Sequence, residues 1–389
     1  METLDEGLVA QRPKTVYSLR QLTAYFLKLG AIGFGGPPAL VSAMHRDLVV
    51  SRQWIEENDY REGLALAQLA PGPLAAQLAI YIGYVHYRIV GATLVGLAFV
   101  LPSFLMVLAI GWAYVQFGGL PWMQALFYGV GAAVIGIIAN GTYKLTTKTV
   151  GNDGLSISLF VLSALATAIT ESELLWLVLL SGLVYWLVKA PPLWLRSGNV
   201  VAPFLLQAVT LPQDSILWKL ALFFFKAGAF VFGSGLAIVP FLYGGVVKEY
   251  GWLNEQQFLD AVAVAMITPG PVVITVAFIG YLVAGLPGAC VAALATFLPC
   301  YLLTILPAPY FKTYGRRPGI KAMVDGITIA AVGAIAGAVV VLGKRQLTDL
   351  PSVLLAVGTL LILLRVRKVS EWQLIAAAAL IGLVLKFWL

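Results

Sequence analysis

Two lysines inside apolar segments are the first residues of this chain that could do chemistry. Lys28 and Lys226 lie 198 residues apart (226 − 28), and each precedes a glycine-rich run. An ionisable side chain at membrane depth is a candidate functional residue by default. A lysine pair supplies positive charge without fixed geometry, which suits a small tetrahedral dianion or a chloride ion. The alternative is that each lysine lies near a helix end and extends its ammonium group to the lipid headgroups.

The glycine-rich runs after these lysines could present backbone N–H groups to an anion. The first run contains Gly35 and Gly36, and the second contains Gly233-Ser234-Gly235. Where a helix is interrupted, the N–H groups of the next helical turn have no partner within the helix. The alternative is that these small residues only bend the helices or let them pack closely.

Two Pro-Gly-Pro motifs interrupt a second apolar segment in each half of the chain. They are Pro71-Gly72-Pro73 and Pro269-Gly270-Pro271. Each proline removes a backbone donor and clashes with the preceding turn, so a continuous helix is not expected there. The half-helix after each break presents free N–H groups and the positive end of its dipole, an arrangement that receives anions. A kink without function is the alternative, but the duplication of the break favours a binding site.

Glu62 and Asp260 are candidates for carrying a coupling proton. Each begins a broken segment and stands nine residues before the first proline of the break (71 − 62 and 269 − 260). That separation is about 13 Å along an α-helix. A carboxylate partly shielded from water has a raised pKa and can exchange a proton. The alternative is N-terminal helix capping, where a carboxylate interacts favourably with the helix dipole.

These candidates are paired because the chain contains an internal duplication. At a shift of 198 residues, and of 197 after one lost residue, the halves share identical residues: Trp54 with Trp252, Glu57 with Glu255, Gly129 with Gly326, and Gly136 with Gly333. Duplication within a membrane protein is typical of transporters. We therefore divide the chain into an N-terminal repeat at 1–190, a linker at 191–215 and a C-terminal repeat at 216–389.

The composition places the chain in a lipid bilayer. Hydrophobic residues make up 60% and charged residues 11% of the chain, with a mean hydropathy of +0.90, whereas soluble domains carry about 25% charged residues. We predict an all-α polytopic membrane protein with about 10–13 membrane segments, broken or re-entrant at the Pro-Gly-Pro and glycine-rich motifs. The net charge of +7 comes from basic residues between apolar segments, so no nucleic-acid partner is predicted.

The placement of lysine and arginine predicts that the two halves have opposite orientations in the membrane. With the N-terminus in the cytoplasm, Glu171 falls outside. A second half of the same orientation would place seven basic residues outside, and inverting it moves all seven inside: Lys312, Arg316, Arg317, Lys321, Arg365, Arg367 and Lys368. The inversion leaves mainly four basic residues outside: Lys248, Lys344, Arg345 and Lys386. It requires either a crossing by linker residues 200–211 or one re-entrant segment per half, and the sequence leaves both open.

The paired motifs resemble those of the chromate ion transporter family, in its long-chain type with two homologous halves. The residues that carry the resemblance are Phe34-Gly35-Gly36-Pro37, Trp54 and Ala70-Pro71-Gly72-Pro73. Looser copies follow in the second half as Phe232-Gly233-Ser234-Gly235 and Thr268-Pro269-Gly270-Pro271. The resemblance covers nearly the whole chain and is clearest over residues 22–345.

The resemblance implies a multi-pass protein of the bacterial or archaeal inner membrane that exports chromate from the cytoplasm. It also implies export driven by the proton gradient, resistance to chromate, and oppositely oriented halves. The partners would be chromate or a related oxyanion such as sulfate, protons as the coupling ion, and the lipid bilayer. The oligomeric state stays open, with a homodimer as one alternative.

Two other functions are kept as alternatives. One is a transporter or channel for another anion such as sulfate. The other is a membrane-embedded enzyme acting on a phosphorylated lipid, which would need a nucleophile or a metal cluster at membrane depth. With two histidines, two cysteines and no clustered carboxylates, the sequence argues against an enzyme, a metal site or a cofactor. The lack of a nucleotide-binding motif predicts a secondary transporter.

Overall fold

A computed structural model describes most of the chain as α-helix. The described residues are 17–33, 36–117, 121–171, 175–191, 215–229, 238–311, 317–366, 369 and 371–388. Among these residues, four stretches are long and apolar enough to cross a membrane: Leu74–Phe117, Trp122–Thr149, Val272–Ile305 and Pro318–Gln346. The predicted all-α membrane fold is therefore confirmed. Gly35, Gly233, Ser234, Gly235 and linker residues 200–211 lie outside the described residues.

Helices follow one another in the same order in both halves. The first half has α1 (Leu19–Ile32), α2 (Gly36–Met44) with a π-helical continuation (His45–Ser51), α3 (Glu57–Leu69), α4 (Leu74–Phe117), α5 (Pro121–Thr149), α6 (Gly154–Thr170) and α7 (Leu175–Lys189). The second half has α8 (Ile216–Ala229), α9 (Ile238–Tyr243) with a π-helical continuation (Gly244–Glu249), α10 (Glu255–Ile267), a 3₁₀ turn (Val272–Ile274), α11 (Thr275–Ile305), α12 (Pro318–Gln346), α13 (Leu350–Arg365) and α14 (Glu371–Trp388).

Helix α1 and the segment that follows it fold back on each other. The Tyr25 hydroxyl donates to Asp47 Oδ2 at 3.3 Å, and Tyr17 stacks on Trp54 with ring centroids 5.0 Å apart. The start of α1 therefore meets the end of the following segment, and the two segments run antiparallel, with Gly33 and Gly36 beside the tip of this hairpin. In the second half Phe223 stacks on Phe241 at 5.1 Å, so α8 and α9 fold back in the same way.

The Pro-Gly-Pro motifs also form the tips of helical hairpins. A Cβ atom on Gly63 would lie 2.2 Å from Cδ1 of Tyr81, although residues 18 positions apart in a continuous helix are separated by about 27 Å. In the second half the Tyr114 hydroxyl bonds Asp260 while its ring packs on Phe278, again a pair 18 residues apart. The chain therefore reverses at each motif, so the helices are broken there as the sequence predicts.

A third reversal divides each of α4 and α11 into two antiparallel arms. Arg88 has φ 52° and ψ −140°, and Gly83 and Gly91 on either side of it are in direct backbone contact. The matched residue Gly285 has φ 62° and produces the same reversal in α11. We call residues 74–87 and 275–283 the short arms, and residues 89–117 and 286–305 the long arms.

The last two helices of each half pack against the other half. Matched glycines make close contacts with backbone oxygens of the other half: Gly129 with Ala378, Gly136 with Ala356, Gly326 with Ser181, and Gly333 with Phe160. Helices α13 and α14 thus lie on α5, and α6 and α7 lie on α12. The two repeats of the sequence are interlocked in space rather than folded as separate bodies.

The matched helices α5 and α12 run antiparallel to each other. A Cβ atom on Gly131 would lie 2.4 Å from Nε2 of Gln346, and a Cβ atom on Gly343 would lie 3.8 Å from Cγ2 of Ile135. A later residue of α5 therefore contacts an earlier residue of α12, as expected for antiparallel helices.

We expect Gly228→Ala to destabilise the protein. Its Cβ would lie 2.0 Å from the backbone oxygen of Thr296, where α8 crosses α11. Overpacking of this kind costs about 1–3 kcal/mol, so the midpoint of thermal unfolding in detergent should fall. Gly358→Ala is the matched control, because nothing lies within 4 Å of its Cβ position. Equal unfolding midpoints for the two variants would contradict the close packing of α8 on α11.

Candidate functional site

Hairpin tips from the two halves meet beside the middle of the α4 long arm. The Gly270 N–H donates to the Gly33 carbonyl oxygen at 2.9 Å, and the Ser103 hydroxyl donates to the Gly30 carbonyl oxygen at 3.4 Å. Ser103 is 14 residues from each end of the 89–117 arm (103 − 89 and 117 − 103). In a helix that crosses a bilayer, this midpoint lies near the centre of the hydrocarbon region.

The contacts of the two Pro-Gly-Pro tips are reciprocal. Gly270 has φ +95°, and its Cβ would lie 1.9 Å from the Ser103 hydroxyl oxygen. Gly72 has φ +143°, and its Cβ would lie 3.1 Å from the sulfur of Cys300. Ser103 and Cys300 are matched residues at the shift of 197. Each tip therefore packs on the long arm of the other half, and only glycine fits at either position.

The predicted Pro-Gly-Pro residues are thus brought to places where a helix begins at mid-span. After Pro71-Gly72-Pro73 the short arm of α4 starts at Leu74, and after Pro269-Gly270-Pro271 a 3₁₀ turn leads into the short arm of α11. The first N–H groups of such helices have no intrahelical partner and lie at the positive end of the dipole. Gly36 begins α2, next to the tip of the first hairpin. This arrangement can receive an anion through backbone donors.

Lys28 and Lys226 lie on exposed faces of α1 and α8. Lys28 shares its face with Leu27 and Ile32, which are 44% and 60% exposed, and Lys226 is next to Phe225, which is 40% exposed. No hydrogen bond or ion pair joins either lysine to another residue that the structure describes. Lys28 is five residues from Gly33, about 8 Å along a helix, so it lies close to the depth of the first hairpin tip.

Asp260 is buried and held by two side chains. It is 3% exposed, and it accepts hydrogen bonds from the Tyr114 hydroxyl at 2.7 Å and from Gln256 Nε2 at 2.8 Å. Tyr114 belongs to the α4 long arm, so this contact joins the halves. Helix α10 is capped by Asn254 in a capping box with Gln257, which excludes the capping role for Asp260.

The neighbouring tyrosine of the matched acid Glu62 comes from a different place in the fold than that of Asp260. The Tyr81 side chain of its own half lies next to the Glu62 carboxylate. At the shift of 197, Tyr81 matches Phe278 and Tyr114 matches Phe311. Each acid thus has one tyrosine, supplied once by the neighbouring short arm and once by the other half. Neither tyrosine is among the residues predicted from the sequence, although the replacement of Tyr by Phe at the matched positions distinguishes both of them.

Gln77 is a third residue that the sequence analysis missed. It is 0% exposed in the first turn of the α4 short arm, and its Nε2 donates to the Pro71 carbonyl oxygen at 2.8 Å. The signal in the sequence is a single carboxamide in an apolar stretch that follows a Pro-Gly-Pro motif.

A cleft of about 370 Å³ opens beside Glu57 in the first half. His45 Nε2 and Arg61 Nε lie 2.8 Å and 2.6 Å from the Glu57 carboxylate oxygens, and these hydrogen bonds hold the pKa of Glu57 below its usual range. The matched positions of the second half are buried except for Glu255: Val239, Pro240, Tyr243, Phe258, Leu259 and Val262. The cleft therefore belongs to the first half alone among the described residues.

An ion cluster joins the two halves at the end of α6. Glu171 pairs with Lys248 at 2.7 Å and with Arg345, which also pairs with Glu255. The hydrogen bond from Lys248, together with the charge of Arg345, holds the pKa of Glu171 below its usual range. The cluster brings together one acidic residue of the first half and two basic residues that the opposite-orientation scheme places on the same side of the membrane.

Comparison with known proteins gives a consistent family. A family model described as chromate transporter matches residues 20–186 and 218–383, one match per half. A chromate transport protein of Cupriavidus metallidurans is 66% identical over 98% of this chain and 96% of its own length. A probable chromate transport protein of Synechococcus elongatus is 62% identical over 96% of both chains.

The chain also has a more distant relative in an archaeon. An uncharacterised transporter of Methanocaldococcus jannaschii is 31% identical over 80% of this chain and 81% of its own length. No solved structure matches the chain. The family matches cover both repeats, and the two chromate transport relatives align nearly end to end. The resemblance of the motifs is therefore confirmed, and the chain belongs to the chromate transporter family.

Proposed function

We propose that the protein is a secondary transporter that exports chromate from the cytoplasm, is driven by the proton gradient and gives resistance to chromate. The observation that carries the proposal is the hydrogen bond between Gly270 and Gly33, where re-entrant tips of the two halves meet at mid-span. Transporters bind their substrates at such interruptions near the bilayer midplane. The printed names of the 66% and 62% identical relatives support chromate as the substrate.

The tips supply the groups that hold the oxyanion. The backbone N–H groups after Pro71-Gly72-Pro73 and Pro269-Gly270-Pro271 donate to its oxygens, and the positive ends of the short arms stabilise its charge. The glycine runs with Gly35, Gly36 and Gly233-Ser234-Gly235 complete the site from the neighbouring hairpins. Backbone donors bind the oxygens of a tetrahedral oxyanion and stabilise its negative charge.

Lys28 and Lys226 supply positive charge close to this site. Their exposed faces lie near the depth of the tips, where an ammonium group surrounded by lipid is costly. We infer that these faces border water on the route of the anion. The absence of fixed partners suits a charge that attracts a mobile ion without trapping it.

The two halves are inserted with opposite orientations. The antiparallel packing of α5 and α12 supports this inference, because these helices are matched in the repeats. The contact of Glu171 with Lys248 and Arg345 supports it independently, since a second half of the same orientation would place these basic residues across the membrane from Glu171. An inverted pair of binding tips is the usual basis of alternating access.

Asp260 and Glu62 carry the coupling proton. Asp260 has the stronger geometry, because it is buried, lies at the interface of the halves and is bound by a hydroxyl from the opposite long arm. A movement of one half against the other would break the Tyr114 contact and change the environment of the carboxyl group. That coupling of position to protonation is what a proton-driven transporter needs.

The proposed function predicts uptake of radiolabelled chromate into inverted membrane vesicles that contain the protein. Accumulation should increase several-fold when a proton gradient is imposed, and excess sulfate should compete if the site reads any tetrahedral dianion. Vesicles without the protein are the control. Equilibration without accumulation would indicate a channel, and no uptake in either condition would exclude chromate as the substrate.

The lysine assignment predicts weaker chromate transport in Lys28→Gln and Lys226→Gln. We expect each variant to raise the apparent KM by roughly 3- to 10-fold, because a nearby charge of this kind is worth about 1 kcal/mol. Lys219→Gln is the matched control, since it removes a charge from the same exposed face and the first half naturally has Gln21 there. Unchanged transport by both test variants would remove the lysines from the site.

The coupling assignment predicts that Asp260→Asn separates binding from driven transport. The variant should bind chromate within about twofold of the wild type, because the residue does not touch the tips. It should lose the acceleration by the proton gradient in the vesicle assay. Glu62→Gln is the comparison in the first half, and we expect a smaller loss from it. Acceleration of wild-type size in Asp260→Asn would contradict the assignment.

A further inference from the structure

Gln77 presents an acceptor that no described residue satisfies at the first Pro-Gly-Pro tip. Its Nε2 donates to the Pro71 carbonyl oxygen, which fixes the orientation of the carboxamide, because the oxygen atom could not occupy that place. The Oε1 atom is buried and has no hydrogen-bond partner among the described residues. The side chain lies against the tip itself, since a Cβ atom on Gly72 would be 2.7 Å from the carboxamide.

A buried carbonyl oxygen without a donor costs about 1–3 kcal/mol. Because Gln77 lies in the first turn of the α4 short arm, a ligand held by the free N–H groups of this helix end can supply the missing donor. Oε1 can only accept, so the ligand must carry a hydrogen atom at this point. A bare dianion offers four oxygens and no hydrogen, and its oxygens would repel Oε1. A singly protonated oxyanion offers one O–H group to Oε1 and its remaining oxygens to the backbone N–H groups.

The second half does not repeat this feature. The residue matched to Gln77 at the shift of 198 is Thr275, whose hydroxyl donates to the Val272 carbonyl oxygen at 2.8 Å. Its hydrogen-bonding need is therefore met within its own chain segment. The two tips offer similar backbone donors, but only the first adds a side-chain acceptor.

We propose that Gln77 determines specificity by binding the proton of a singly protonated tetrahedral oxyanion. This inference rests on the proposed function and names the ionic form that the site takes. Chromate ionises for the second time close to neutral pH, so a substantial part of it carries one proton, whereas sulfate and selenate remain dianions. Desolvation also favours the monoanion, because the cost of moving an ion out of water rises with the square of its charge.

Access to Gln77 requires movement of the tip. The side chain is 0% exposed, so the oxyanion reaches it only when the Gly72 tip separates from Cys300. The binding-competent state is then one of the states of the transport cycle, and the described conformation is the one in which this tip is closed.

The test is binding of radiolabelled chromate to the purified protein in lipid nanodiscs between about pH 6 and pH 8, with selenate as competitor. For the wild type we expect the affinity for total chromate to fall as the pH rises, and selenate, which has the same shape, to compete weakly. Gln77→Met keeps the length of the side chain and removes the acceptor. It should lower the preference for chromate over selenate by about tenfold and flatten the pH dependence.

Thr275→Val is the matched control and should keep the wild-type preference, because its hydroxyl is already bonded within the chain. A folded Gln77→Met variant with the wild-type preference and pH profile would overturn the proposal. If that variant does not fold, the wild type decides, since equal affinities for chromate and selenate would also overturn it. Failure of the wild type to bind chromate at any pH would instead overturn the proposed function, and this inference with it.

Discussion

The hydrogen bond from Gly270 to Gly33 is the contact on which the architecture depends. It joins the backbones of two helical hairpins. A helix of each hairpin must therefore end at this contact, so that its backbone groups are free to bond the other hairpin. The ends are imposed by proline on one side and by glycine on the other, and the positive φ of Gly270 leaves no room for a side chain beside Ser103. Inside a bilayer the backbone groups released by such ends need partners in the protein or in a ligand. The same constraint that shapes the junction makes it able to bind an ion.

Local signals in the sequence predicted the breaks but not their geometry. Proline and glycine at residues 71–73 end a helix whether the chain then continues or reverses. Reversal depends on the packing of the two helices on either side of the break, such as the contact of Gly63 with Tyr81. The same holds for Asp260, whose partner Tyr114 is contributed by another helix of the other half. The lysines were found as charges in an apolar background, and that background does not tell which face of α1 or α8 they occupy. Gln77 was missed because its environment is set by folding of the tip.

The two repeats have kept a common path while their surroundings have diverged. Arg61 lies at an open cleft, and its counterpart Leu259 is 3% exposed. Likewise His45 lines the cleft, and its counterpart Tyr243 is buried. The hairpins of the second half are buried at most of the positions that match the cleft, and apolar or aromatic residues stand there. The hairpins of the first half are open at the cleft. A duplicated transporter with unequal halves does not need two equivalent sites, and the difference between Gln77 and Thr275 is consistent with one specific tip and one general tip.

The exchange of terminal helices between the repeats has a consequence for synthesis. Helices α5, α6 and α7 enter the membrane before any of the second half exists, yet their packing partners α12, α13 and α14 are the last helices of the chain. The glycine faces of α5, with Gly129 and Gly136, must therefore stay in lipid without their partners until translation is almost complete. Contacts so distant in sequence slow folding and prolong the exposure of unpaired surfaces. A chain truncated before α12 would leave α5, α6 and α7 of the first half without their packing partners.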